Sequence, residues 1–227
     1  MDWTMMLAAA LGVGPALALM FWTLRDYTYP KVERPFFDDR KLFLMLAVGM
    51  VIGVITYSVR SWFPMEFVLY ALIFAVLEPL LKLIILNIPR FQMKLDTSFY
   101  ALSFGLGIGS TTAFGAIFQS ISVLDHVYGW ILIMLIAMQF VFLHASTATL
   151  IGTGVARGEP WGYFAHAGLV HVAFNMLMVP FFMGLDWGIA TLAVATLLVA
   201  YYYVQVHRHL LPSVVRDALK AMQRAKE

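Results

Sequence analysis

The sequence contains no cysteine and few charged residues. Only 12% of its 227 residues are Asp, Glu, Lys or Arg, about half the share in a typical soluble domain, whereas 62% are hydrophobic. The absence of cysteine excludes thiol catalysis, cysteine-ligated metals and a disulfide-stapled secreted module. Because a soluble chain of this length cannot bury so much apolar surface, the composition predicts a multi-pass membrane protein.

Seven apolar stretches are long enough to cross a membrane as helices. A helix needs about 20 apolar residues to span a hydrocarbon core of about 30 Å, and no segment alternates like a barrel strand. The predicted fold is all-α, with a seven-helix transmembrane domain over residues 1–206 and a tail over 207–227. The predicted spans cover residues 5–24, 42–59, 63–88, 98–122, 127–155, 161–183 and 187–206.

Lys and Arg are distributed unequally between the two ends of these spans. Of 15 basic residues, 13 lie in the connections and tail at one end, whereas Arg60 lies at the other end and Lys82 lies inside the third span. Cytoplasmic loops carry an excess of Lys and Arg. The distribution predicts an N-terminus outside the cell membrane and a cytoplasmic C-terminus. Membrane lipid is an expected partner, and nucleic acid is not.

The tail has helical character. Arg216, Lys220 and Arg224 recur every four residues. Beside them runs an apolar face made of Val214, Val215, Ala218, Leu219 and Met222. A basic amphipathic helix of this kind lies on the inner leaflet, although a solvated charged tail fits the same sequence.

Ionisable and amide side chains inside the spans are the candidates for function, because an ionised group in the bilayer costs about 2.5–3.5 kcal/mol. At a rise of about 1.5 Å per residue, Glu78, His144 and His171 each lie about 15 Å from the cytoplasmic boundary. Asn175 follows His171 by one helical turn. Lys82 follows Glu78 by one turn and can neutralise it. The shared depth predicts one site, with three separate interhelical hydrogen bonds as the alternative.

The fourth span is rich in glycine and other small residues. Gly105 and Gly109 are separated by one turn, so they lie on the same helix face. Small residues at this spacing allow two helix backbones to approach closely. We expect this face to pack against a neighbouring span, either of this chain or of a partner membrane protein.

A glutamate and two histidines at one depth support two kinds of chemistry. Glu78 can take a proton from a water that attacks a carbonyl, while imidazole and amide groups donate to the oxyanion. Alternatively, Glu78, His144 and His171 can bind a zinc ion with an open position. Both routes lead to amide hydrolysis. A retinal protein would need a lysine in the last span, and a single haem would have no route across the membrane; a transporter stays open.

Three short motifs occur in order on separate spans. They are Glu78-Pro79-Leu80-Leu81-Lys82, Phe140-x-x-x-His144 and His171-x-x-x-Asn175. They resemble the motifs of the superfamily that unites type II CAAX-prenyl endopeptidases, the PrsW family and the scaffold subunit of gamma-secretase (the anterior-pharynx-defective family). Other segments are similar to the scaffold subunit, namely Gly14-Pro15-Ala16-Leu17 and Leu102-Ser103-Phe104-Gly105. Three further segments are similar to PrsW proteins, namely His144-Ala145, Gly152-Thr153-Gly154 and the loop over 26–35.

The resemblance implies a role for each matching residue. Glu78 would be the general base and His144 would position the water, while His171 and Asn175 would form the oxyanion site. Pro79 stands where the endopeptidases and PrsW proteins usually carry a second glutamate, and the fourth span lacks the glutamate that PrsW proteins tend to have. A proline in mid-helix also frees a backbone carbonyl and can kink the helix beside Glu78.

Two functions follow from the resemblance. The first is an intramembrane endopeptidase, a hydrolase that cuts a membrane protein or peptide near the midplane from a cytoplasm-facing cavity. The second is a non-catalytic scaffold that binds another membrane protein through the glycine-rich fourth span.

Overall fold

The computed structural model describes residues 3–33, 35–121 and 126–224, and every regular element in these ranges is helical. Within these ranges, seven helices are long and apolar enough to cross a membrane, which confirms the predicted all-α architecture. The elements are α1 (Trp3–Leu24), α2 (Asp39–Arg60), α3 (Val68–Leu86), α4 (Thr97–Ser120), α5 (Val127–Arg157), α6 (Pro160–Phe182), α7 (Gly188–Gln205), a π-helical segment (Val206–Leu210) and α8 (Leu211–Arg224).

Successive helices run in opposite directions, so the bundle has two ends. We call the end at which α1, α3, α5 and α7 finish the basic end, because the basic connections lie there. At the opposite end, α3 begins at Val68 rather than at residue 63. A turn precedes it, in which the Phe67 N–H donates to Pro64 O at 3.2 Å. The predicted end of the fourth span, residue 122, lies outside the described residues.

α4 is the central helix and is almost wholly buried by α1, α2 and α5. Its glycines allow this close approach. A Cβ on Gly105 would lie 2.7 Å from the Cβ of Ala148 and 2.8 Å from the Cα of Ala145. A Cβ on Gly109 would lie 2.7 Å from the Cα of Val141. The predicted packing role of the two glycines is therefore confirmed, and the neighbouring helix is α5.

The other glycine-bearing face of α4 packs on α2. A Cβ on Gly107 would lie 3.0 Å from the Cα of Gly49. Because α2 and α5 of the same chain cover these faces, Gly105 and Gly109 are not available to another protein. This corrects the expectation that a partner membrane protein binds through the fourth span.

Two hydrophobic cores meet at α5. One joins α5 to α1, α2 and α4, and the other is formed by α5, α6 and α7. α3 packs on α5 and α6, whereas α2 packs on α4. Consecutive helices α2 and α3 therefore have little contact with each other, and the mid-membrane polar residues lie where α3, α5 and α6 converge.

The tail forms a helix that packs on the bundle. It continues from α7 through the π-helical segment without a break. The predicted boundary at residue 206 coincides with the start of that segment. In α8, Leu211 and Val214 are buried. Arg157 at the end of α5 donates to Asp217 at 2.7 Å and to Ser213 at 2.8 Å. Residues 225–227 of the predicted tail, and the side chain of Met222 on its predicted apolar face, lie outside the described part of the chain.

Candidate functional site

Glu78 is held in the bundle by an arginine from another helix. Glu78 lies near the middle of α3 and is 6% exposed, and Arg60, the last residue of α2, is 7% exposed. Arg60 Nη1 donates to Glu78 Oε1 at 3.3 Å. The arginine also lies over the Phe140 ring, 5.8 Å from its centre. Since a buried carboxylate needs a partner, this pair explains how the bundle accommodates Glu78.

The second oxygen of Glu78 faces both predicted histidines. Oε2 lies 3.5 Å from His171 Nδ1 and 3.9 Å from His144 Nε2. The two imidazole rings are 5.6 Å apart between centroids. Both histidines are buried, His171 completely. The equal depths of these three side chains on three helices thus reflect one shared cluster.

Lys82 does not neutralise Glu78, contrary to the sequence interpretation. Its Nζ donates to Thr147 Oγ1 at 2.7 Å and lies 2.9 Å from His171 Nε2. Neither a hydrogen bond nor an ion pair joins Lys82 to Glu78 in the described structure. The lysine points toward α5 and α6, because the partners there are closer than the carboxylate one turn away on its own helix.

The lysine determines which nitrogen of His171 carries the proton. Thr147 Oγ1 donates to Leu143 O at 2.7 Å, so its hydrogen is already used. A protonated lysine only donates, so His171 Nε2 is an acceptor when Lys82 carries its proton. In the neutral imidazole the proton then lies on Nδ1, the atom that faces Glu78. This tautomer is assigned from the hydrogen-bond pattern.

Asn175 lies outside the cluster. Its Nδ2 donates to the backbone oxygen of Ala71 on α3 at 2.9 Å, and its Oδ1 is buried without a hydrogen-bond partner. Ala71 precedes Glu78 by about two helical turns. Asn175 therefore fastens α6 to α3, and the structure does not place its amide beside the carboxylate.

Two residues of the site, Arg60 and Thr147, are not predicted as site residues from the sequence. Arg60 was the single basic residue at its end of the spans, and this exception to the charge distribution is the signal that marks it. Thr147 lies one turn after the predicted ligand His144, but the chain has many buried threonines. Pro79 is buried within a continuous α3.

Glu78, His144 and His171 form a cluster that could hold a metal ion. One ligand atom from each lies within 4.8 Å of the others. Tetrahedral zinc, with bonds of about 2.0–2.1 Å, needs ligand atoms about 3.3 Å apart, so the side chains would have to close slightly. The three ligand side chains are of types that bind zinc, but the groups that contact these side chains do not suit a zinc site. A ligating histidine usually donates its other N–H to an acceptor, whereas His171 Nε2 accepts from Lys82.

A cavity of about 490 Å³ adjoins the site at the end opposite the basic end. We call it the vestibule. Arg60 and Phe140 line it together with Tyr57, Gln119 and Phe181. The two described cavities at the basic end have no residue of the cluster in their lining, whereas Glu78 belongs to the lining of a smaller one, of about 280 Å³, between α2 and α3. Which side of the membrane the site cavity faces stays a prediction.

Comparison with protein-family models, curated proteins and solved structures finds no match to this chain. The resemblance to the endopeptidase superfamily therefore stays a prediction based on the motif residues.

Proposed function

We propose that this multi-pass membrane protein is an intramembrane endopeptidase in which Glu78 activates water. The observation that carries the proposal is a set of buried polar atoms without hydrogen-bond partners. Glu78 Oε2, His144 Nδ1 and His171 Nδ1 have none among the described residues. Buried polar atoms normally have a partner, and a buried water needs about two to four. A water beside Glu78 Oε2 and His171 Nδ1, which lie 3.5 Å apart, meets both requirements.

The same atoms account for hydrolysis of an amide. Glu78 Oε2 takes a proton from the water while the water oxygen attacks the carbonyl carbon. The carbonyl π electrons move to the oxygen, which becomes an oxyanion. The His171 Nδ1–H is the nearest donor to it, and Lys82 is a positioning residue because it sets that tautomer. Collapse of the tetrahedral intermediate breaks the C–N bond, and the proton held by Glu78 passes to the leaving amine.

The charges around the site favour this route without a metal. Arg60, Lys82 and Glu78 together leave one surplus positive charge when both histidines are neutral. An oxyanion reduces this surplus, whereas a divalent cation would raise it in a poorly solvated core. Zinc is the second candidate: held by Glu78, His144 and His171, it would polarise the carbonyl.

The charge distribution of the sequence also supports an orientation. We place the basic end in the cytoplasm and the N-terminus outside, in the cell membrane. The vestibule then opens on the outer face, and water reaches Glu78 past Arg60. The substrate is a membrane protein or peptide, since Glu78 lies at mid-membrane depth.

The test is cleavage of a membrane-peptide library by purified protein in vesicles. We expect the wild type to release products and E78Q to give only background. Glu159→Gln, which changes an exposed carboxylate at the start of α6, is the matched control and should cleave like the wild type. Equal background from the wild type and E78Q would contradict the proposal.

Such a result would favour the scaffold alternative. In that case the Arg60–Glu78 and Lys82–His171 contacts serve only to hold α2, α3 and α6 together. A partner would then bind a face other than that of α4, and isolation from native membranes would recover it.

A further inference from the structure

Arg60 brings a positive charge into the lining of the vestibule with most of its hydrogen-bond donors unused. A guanidinium has five N–H groups, and the only described hydrogen bond of Arg60 runs from Nη1 to Glu78 Oε1. Arg60 Nε and Nη2 are not among the fully buried polar atoms without a partner. Since Arg60 is buried as a residue but lines the vestibule, these donors face that cavity.

The unused donors form the edge of the guanidinium that matches a carboxylate. The Nε–H and one Nη2–H are parallel, so they bind both oxygens of one carboxylate, an arrangement that a lysine does not provide. The Phe140 ring also lines the vestibule, and its centre lies 5.8 Å from the guanidinium carbon. Arg60 is therefore held between Glu78 and Phe140, and its carboxylate-binding edge is left for a ligand.

The rest of the vestibule suits the apolar body of a small molecule. Its volume of about 490 Å³ lies within the range of about 300–1,000 Å³ for ligand pockets, which combine apolar walls with a few polar groups. Phe63, Phe181, Leu132 and Ile136 are among the apolar residues of its wall. We propose that the vestibule binds a small organic monocarboxylate with an apolar body, held by Arg60. This binding does not require peptide cleavage, so it goes beyond the proposed function.

The charges near the vestibule favour a ligand with a single negative charge. With Lys82 protonated and both histidines neutral, Arg60 and Lys82 exceed Glu78 by one positive charge, which one carboxylate neutralises. A phosphate monoester carries about 1.5–2 negative charges at pH 7 and would reverse the sign in a poorly solvated site. Glu66, the acidic residue of the lining, is exposed, so water and salt screen its repulsion of a monoanion.

Protection of an introduced thiol tests this site, because the native chain has no cysteine. Ser120→Cys places a thiol of similar size in the vestibule lining, and Lys220→Cys, on exposed α8, is the control outside it. Both are made in the full-length protein in phosphatidylcholine nanodiscs, which leave both membrane faces accessible. The rate of reaction with a maleimide is measured with 3-phenylpropionate, a water-soluble acid, or with decanoate, a fatty acid that enters from the bilayer. The uncharged 3-phenylpropanol and inorganic phosphate are the ligand controls.

We expect at least one of the two acids to slow labelling of Ser120→Cys several-fold and to leave Lys220→Cys unchanged. Protection by decanoate alone would support the bilayer as the source of the ligand, and protection by 3-phenylpropionate alone would support the aqueous phase. The alcohol and phosphate should protect little. Arg60→Lys keeps a positive charge beside Glu78 but loses the paired donors, so protection should disappear.

Three results would overturn the inference. They are no protection by either acid, equal protection by 3-phenylpropionate and 3-phenylpropanol, and full protection in folded Arg60→Lys protein. The comparison of acid with alcohol uses the unchanged arginine, so it decides the matter even if the Arg60→Lys protein does not fold. None of these measurements involves cleavage, so failure of the proposed function would leave this inference standing.

Discussion

At the scale of single residues, the site depends on one ion pair that crosses from α2 to α3. Arg60 is the only residue whose charge directly contacts the carboxylate among the described residues. A buried carboxylate that loses its partner is strongly destabilising, whereas loss of both partners costs much less. The strength of this pair can therefore be measured by removing one or both charges.

We predict that Arg60→Met lowers the free energy of unfolding by about 3–5 kcal/mol, since it leaves Glu78 buried without a partner. The double variant Arg60→Met with Glu78→Gln should recover most of this loss. Denaturant unfolding in mixed micelles measures both. Arg90→Met, at an exposed position after α3, is the control. Additive effects of the Arg60 and Glu78 changes would show that the pair carries no coupling.

Glu78, His144 and His171 can be predicted from the sequence, because ionisable side chains inside apolar spans are rare and their depths follow from counting residues. The residues that pair with them cannot be predicted in this way. Arg60 ends its helix, where periodicity does not say whether a long side chain extends to solvent or turns back into the bundle. The choice of Lys82 between Glu78 and His171 depends on distances between helices, which local spacing does not contain.

At the scale of helices, the closeness of α4 and α5 determines where His144 lies. Gly105 faces the backbone oxygen of His144 directly. Any side chain at position 105 would push against α5 at the site, because backbone atoms cannot move aside without shifting the helix.

We predict that Gly105→Ala destabilises the protein by about 1–3 kcal/mol, the usual cost of overpacking, and reduces cleavage as His144 moves. Gly162→Ala is the matched control, since a Cβ at Gly162, an exposed position in α6, meets nothing within 4 Å. It should unfold like the wild type or be slightly more stable. Thermal unfolding and the cleavage assay report the two effects. A Gly105→Ala protein as stable as Gly162→Ala would contradict this account of α4.

The hydropathy of the sequence predicts the number and the approximate limits of the spans. It does not predict which spans contact each other. The glycine-rich fourth span is central because its small faces admit α2 and α5, and the consequent separation of α2 from α3 is visible only in three dimensions.

At the scale of the whole molecule, the two ends differ in charge and in their cavities. The vestibule opens opposite the basic end. With the basic end in the cytoplasm, it should be accessible from outside the cell.

The absence of native cysteine makes this orientation directly testable. We predict that Gln119→Cys, in the vestibule lining, reacts with a membrane-impermeant maleimide on intact cells. Lys220→Cys, on exposed α8, should react only after permeabilisation. The cysteine-free wild type is the control for background labelling. The reverse pattern would contradict the orientation and place the vestibule in the cytoplasm.

The central claim is that Glu78 activates water in a site that needs no metal. The most direct measurement is the rate of peptide cleavage in vesicles treated with a membrane-permeant zinc chelator, for wild type and E78Q side by side. We predict that the wild type retains its rate and that E78Q stays at background. A wild-type rate that falls to background with the chelator and returns with zinc, or a wild type that never exceeds E78Q, would contradict the claim.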